Sequence, residues 1–214
     1  MHYDARKHLL EYDDVANDQR KVIYELRDEL MSTEDVKDRY EAIRYDVIED
    51  LFDEYISPKA LEEDWDSEGL QNTFANSFGT NIQVKKSIDD GLDVADILSF
   101  VQQEFISSHK IKEDVIGAET MRTFEKAIML KALDHHWKEH LAFMDQLRQS
   151  VNLRAIGQKN PVQEYKRESF SMFTQLLETI NVEMVKAVCS LSLESKPMPI
   201  EDPSPAAANE NVSS

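Results

Sequence analysis

The chain has 214 residues, with 42 acidic side chains against 24 basic ones and a formal charge of -18. So acidic a surface argues against nonspecific binding to nucleic acid, whose phosphates demand a positive face. Only five Gly and six Pro, with 41% apolar residues, predict an all-α protein with enough apolar mass for a core. The lone cysteine, Cys189, can form no internal disulfide and fits a reducing cytoplasm. No apolar run is long enough to span a bilayer, and Met1-His2-Tyr3-Asp4 has no signal-peptide character, so a soluble chain is expected.

Residues 3–31 contain neither Gly nor Pro and predict one unbroken helix. Leu9, Tyr12, Ala16, Ile23, Leu26 and Leu30 keep an a/d seam in which Gln19 is the only polar member. The stripe is narrow, so the helix is either half of a coiled coil or a strut lying along other helices. On it, the run from Glu11 to Arg20 sets Val15-Ala16 among Asp, Asn, Gln and Arg, offering many hydrogen-bonding groups at once. Ser32 or Thr33 is the expected N-cap of a second helix reaching Tyr55, with Tyr40, Ile43, Val47, Leu51 and Phe52 turned inward. Ser57-Pro58 should open a further short helix. Between 65 and 93 the glycines and scattered Asn and Ser predict short helices and loops around Trp65, Leu70, Phe74 and Phe78. A helix over 94–108 follows, burying Ile97, Leu98, Val101, Phe105 and Ile106. Residues 33–117 thus read as a small acidic helical unit inserted between the strut and what comes next, with its boundary near Gly117.

The stretch 118–190 predicts a helical hairpin. One arm carries Leu130, Leu133, Trp137, Leu141, Met144 and Leu147 at helical spacing, the other Tyr165, Met172, Phe173, Leu176, Ile180 and Met184. Asn160 suits the N-cap of the second arm, Pro161 its first position and Gln163 a capping box. The short loop forces the arms antiparallel. Its chemistry is unlike the rest of the chain: residues 146–163 include no acid, whereas Arg148, Arg154 and Lys159 are cationic and Ile156 lies near the apex. A positive, apolar tip on two stiff arms suits contact with a partner, and an ordinary connection with Ile156 folded back on the hairpin is the plainer alternative. Residues 193–214, rich in Pro, Ala, Asn and Ser, predict a disordered tail.

No catalytic set is convincing. His136-Trp137-Lys138-Glu139-His140 matches the H-x-x-E-H pattern of inverted zinc proteases, but Trp137 continues the core stripe and no third ligand is specified. Cys189 stands on a core-facing helix where a small apolar residue is expected, and no Walker loop occurs. Neither catalytic residues nor a metal site are therefore assigned.

Several longer stretches carry a resemblance. Leu10-Glu11-Tyr12-Asp13-Asp14-Val15-Ala16-Asn17-Asp18-Gln19-Arg20 is similar to the scaffold-helix signature of the SecA family, the ATPase motors of bacterial preprotein export. The similarity returns, in the family's order, in Val115-Ile116-Gly117-Ala118-Glu119, Trp137-Lys138-Glu139-His140-Leu141 and the run from Gln163 to Phe173. It implies that residues 1–34 are the long helix of the helical scaffold, 35–117 the helical wing, and 118–192 the two-helix finger with the rest of the scaffold. By the same resemblance, Arg154, Ala155, Ile156, Gly157, Gln158 and Lys159 form the finger tip that meets the SecYEG channel and the preprotein. Tyr12, Asp13, Asp14, Asn17, Asp18 and Arg20 would face the motor domains. ATP and magnesium would belong to those motor domains, leaving this chain noncatalytic alone, with no cofactor or metal of its own. The implied location is the cytoplasm, peripheral to the cytoplasmic face of the inner membrane, with no nucleic-acid partner. Family members that carry a tip tyrosine differ here, where Ile156 stands, and the family's Cys-rich zinc tail has no counterpart. The alternative is an acidic adaptor self-associating through the seam of residues 9–30.

Overall fold

The computed structural model describes residues 2–154 and 160–191, and side chains within 10–151 and 160–191. Among them are seven α-helices and no strand: α1 (His2–Ser32), α2 (Lys37–Tyr55), α3 (Ser67–Phe78), α4 (Val84–Asp89), α5 (Val94–Ile116), α6 (Ala118–Arg154) and α7 (Pro161–Cys189), with a 3-10 turn at Glu62–Asp64. The architecture is all-α, as expected. The tail beyond residue 191 lies outside the described residues.

Two long helices, α6 and α7, pack along each other as an antiparallel pair, and α1 lies along both. The arms bury the residues their periodicity marks: Leu133, Trp137, Met144 and Leu147 from one, and Tyr165, Leu176, Ile180 and Met184 from the other. Asn160 caps α7, its side chain accepting from the Val162 N–H at 3.0 Å, and Pro161 takes the first turn, where no N–H is required. Gln163 is exposed.

The seam of α1 turns inward. Tyr12, Gln19, Ile23 and Leu30 are buried, and Ala16 and Leu26 partly so. The hairpin of the same chain thus occupies the surface that a coiled-coil partner would need. Of the seam, only Leu9 has a side chain outside the described residues.

Buried side chains from all seven helices join one main core. At its centre Phe74 and Phe78 of α3 meet Phe105 of α5 edge to face, with centroids 5.1 and 5.9 Å apart, the arrangement favoured by opposed ring quadrupoles. Gly79 ends α3 at φ 63°, a left-handed conformation that a side chain would strain.

Several local expectations need correction. Ser32 and Thr33 do not cap α2: both hydroxyls donate back to the Glu29 carbonyl, at 3.1 and 2.8 Å, and so close α1. Helix α2 starts after Val36, which has no capping side chain, and its first amide, the Lys37 N–H, donates to the Asp35 carboxylate at 2.8 Å. Ser57-Pro58 opens a turn and not a helix, because the Ser57 carbonyl is taken by the Ala60 N–H and the Trp65 indole, at 3.0 and 3.1 Å. Helix α5 runs past Ser108 to Ile116. Its apolar pattern fades after Phe105, but the inward face continues through a polar residue, His109, stacked on Tyr40 at 5.0 Å. Ile106, expected inside, is 39% exposed.

Gly117 breaks α5 from α6 at φ 89°, ψ 144°, where glycine is strongly favoured. Its N–H closes α5 on the Glu113 carbonyl at 2.8 Å, and its own carbonyl receives the Met121 N–H at 3.0 Å to begin α6. The corner is then locked by buried charge. Arg122 of α6 pairs with Glu113 of α5 and, at 3.0 Å, with Glu125, whose carboxylate also meets His109 at 2.8 Å.

Candidate functional site

The chemistry that distinguishes this chain lies where the strut crosses the hairpin. Gln19, the one polar member of the α1 seam, faces both arms. Its amide nitrogen donates to the Ser169 carbonyl of α7 at 3.1 Å, and its amide oxygen lies 2.8 Å from Nε2 of His140 on α6. With the nitrogen committed to a carbonyl, the oxygen can only accept, so His140 must carry its proton on Nε2. One side chain thus ties three helices together, inside a contact where a misregistered strut would leave polar groups unpaired.

Apolar packing flanks this node. Towards the hairpin loop, Tyr12 of α1 meets Tyr165 of α7 edge to face at 4.7 Å, within a cluster completed by Met144, Leu147, Val151 and Val162. The Arg148 guanidinium lies 5.5 Å over the Tyr12 ring and pairs with Asp13 at 3.3 Å. Towards the other end of α1, Arg27 pairs with Asp134 at 3.0 Å, and Lys126 donates to the carbonyls of Met31 and Thr33, both at 2.8 Å. A cation there satisfies the unpaired end of α1 and complements its dipole.

The six strut residues expected to meet motor domains divide. Tyr12 is buried on the hairpin and Asp13 turns to Arg148. Asp14, Asn17 and Asp18 are exposed, and Arg20 donates to Asn17 at 3.0 Å. With Lys21 and Tyr24, these outward residues line a shallow polar groove on the face away from the hairpin. It offers carboxylates, an amide and a guanidinium side by side, a surface suited to hydrogen-bonding another protein. Of the expected tip, residues 155–159 lie outside the described residues, as does the side chain of Arg154, the last residue of α6.

The H-x-x-E-H pattern does not assemble as a site. His140 is only 4% exposed and committed to Gln19, with the Trp137 indole stacked on its ring at 5.6 Å. Burial lowers the His140 pKa from the ordinary 6.5. Below about 6.5 the unfolded imidazole takes up a proton that the folded one resists, so stability is full above that value and declines as pH falls towards the folded pKa. His140→Gln should flatten this part of the profile. Urea midpoints measured between about pH 7.5 and pH 5.5 should fall more steeply for the wild type than for the variant.

Sequence reasoning noticed Gln19 only as an interruption in the seam and missed its role as a clamp. It also missed the His109, Arg122 and Glu125 network. The available signal was a charged pair at i, i+3 on a helix whose neighbouring positions, Met121 and Met129, are apolar and buried.

Comparison with known proteins agrees with this architecture. The SecA Wing and Scaffold domain family matches residues 1–192. The chain is 55% identical over 193 residues to the protein translocase subunit SecA of Vesicomyosocius okutanii subsp. Calyptogena okutanii, covering 90% of this chain and 22% of that protein. It is 54% identical to SecA of Ruthia magnifica subsp. Calyptogena magnifica, with the same coverage of both chains. Against SecA of Methylococcus capsulatus the identity is 46% over 196 residues, 91% of this chain and 22% of the other. The chain therefore spans about a fifth of the length of these relatives. Among the described residues no helix is long and apolar enough to cross a membrane. With its braced hairpin and a match across nearly its whole length, the chain belongs to the SecA wing and scaffold domain family.

Proposed function

We propose that this chain acts as the scaffold, wing and finger of a SecA protein-export motor, coupling ATP hydrolysis in motor domains outside it to preprotein movement through the SecYEG channel. The scaffold helix is residues 1–34, the wing 35–117, and the finger with the remaining scaffold 118–192. In this reading the chain carries no catalytic residue, and ATP and magnesium bind the motor domains. It restrains their turnover when idle, and works at the cytoplasmic face of the bacterial inner membrane.

The single observation that supports this most is the Gln19 node. A strut bonded to both arms of a hairpin can pass movement from one end to the other without the helices sliding. The outward groove of Asp14, Asn17, Asp18 and Arg20 then meets the motor, while Tyr12 and Asp13 hold the strut on the finger. At the far end Arg154, Ala155, Ile156, Gly157, Gln158 and Lys159 meet channel and preprotein. Self-association through residues 9–30 has less support, because the hairpin covers most of that seam.

The test places Ile156→Asp in a full-length motor. Preprotein transport into membrane vesicles should fall by roughly tenfold or more, since forcing a carboxylate into an apolar contact costs more than the ~1.4 kcal/mol that equals a factor of ten. Stability should change by no more than about 0.5 kcal/mol, as for most exposed loop positions. Wild-type transport by that variant would remove the tip from the mechanism.

A further inference from the structure

We propose that His135, His136 and Glu139 form a surface site for one divalent transition-metal ion of the imidazole-binding class, with zinc as the ion used to probe it. The site is displaced by one position from the H-x-x-E-H pattern. It uses neighbouring histidines and the carboxylate one turn on, and leaves His140 in the core.

The geometry carries the assignment. The Glu139 carboxylate approaches both imidazoles, one oxygen 3.7 Å from Nε2 of His135 and the other 3.4 Å from Nδ1 of His136. Both separations are longer than a good hydrogen bond. They are close to the ~3.4 Å that separates two donors bound to a tetrahedral ion at about 2.1 Å. The three donor atoms all lie within 4.8 Å of one another. The donors come from a single turn of α6, so rotamer adjustment can close the remaining gap without moving the backbone. His135 and Glu139 are exposed and His136 half-buried, which allows an ion to enter.

The donor set selects the ion. Two imidazoles and one carboxylate suit zinc, nickel and copper, whereas calcium and magnesium favour oxygen donors alone. The remaining positions would be filled by water. They open towards a groove of about 310 Å³ that His136 and Glu139 share with Phe143, Met172, Gln175 and Thr179. Glu139 is itself a ligand here and is not available as a base.

Zinc chloride titrated calorimetrically into the full 214-residue chain should bind saturably at about one ion per chain. His135→Ala, His136→Ala and Glu139→Gln should each weaken it by roughly tenfold or more, since even outer-shell partners of a metal are worth about that much. The His2→Ala, His8→Ala double variant, which removes two imidazoles elsewhere, should bind as the wild type does. As a readout independent of any variant, added Co²⁺ should broaden the imidazole proton resonances of His135 and His136 before those of His109. Absence of saturable binding, indifference to the three substitutions, loss of binding in the His2, His8 variant, or broadening that spares His135 and His136 would each overturn the site.

Discussion

Arg122→Met should lower the unfolding free energy by about 3–5 kcal/mol, the usual cost of removing one partner from a buried ion pair. The Glu125 side chain is fully buried, and among the described residues Arg122 is the only arginine or lysine paired with it. Methionine fills much of the arginine volume and supplies no charge, so the carboxylate would keep its desolvation penalty with His109 as its remaining partner. The same substitution frees Glu113 and so removes one of the ties between α5 and α6 beside Gly117, leaving the Glu125–His109 contact. Adding Glu125→Gln to Arg122→Met should recover most of the loss, because removing both charges removes the penalty as well. Urea unfolding followed by circular dichroism measures both. A single variant as stable as the wild type would mean that the corner is not held by charge.

How much of this was legible beforehand depends on the kind of signal each element carries. The long helices were readable because propensity and periodicity agree over many turns: α1 has no breaker, and both hairpin arms repeat an apolar stripe. Asn160-Pro161 announced the start of α7 through local chemistry alone. The failures lie where local chemistry was ambiguous. Ser32 and Thr33 suit an N-cap equally well as they suit the last turn of the preceding helix, and only the path of the chain decides. Helix α5 was cut short because His109 interrupts an apolar stripe while remaining on its buried face, through a partner sixteen positions away on α6. Of the functional surface, the run 11–20 was visible as a cluster of polar groups. Its division into a face that grips the hairpin, with Tyr12 and Asp13, and a face that turns outward, with Asp14, Asn17 and Asp18, requires the third dimension. The histidine triad was close to view, but the motif drew attention to His140, which packing diverts to the core.

The second large effect concerns the node itself. Gln19→Leu preserves the approximate volume of the side chain while removing both of its hydrogen bonds. Nε2 of His140 would remain as a buried donor without its acceptor, at a cost of about 1–3 kcal/mol. The Ser169 carbonyl loses less, because a helical carbonyl retains its intrahelical N–H partner. The expected destabilisation is thus about 2–4 kcal/mol in all, with the strut loosened from both arms. His140→Phe removes the opposite member of the same bond.

The most direct measurement of whether the strut and hairpin are one braced unit within a single chain is the double-mutant cycle of Gln19→Leu and His140→Phe, read by urea unfolding at neutral pH. A coupling energy of about 1 kcal/mol or more, independent of protein concentration, is the predicted result. Additive losses, or a coupling that appears only as concentration rises, would contradict the account, because the strut would then be held by something other than its own hairpin.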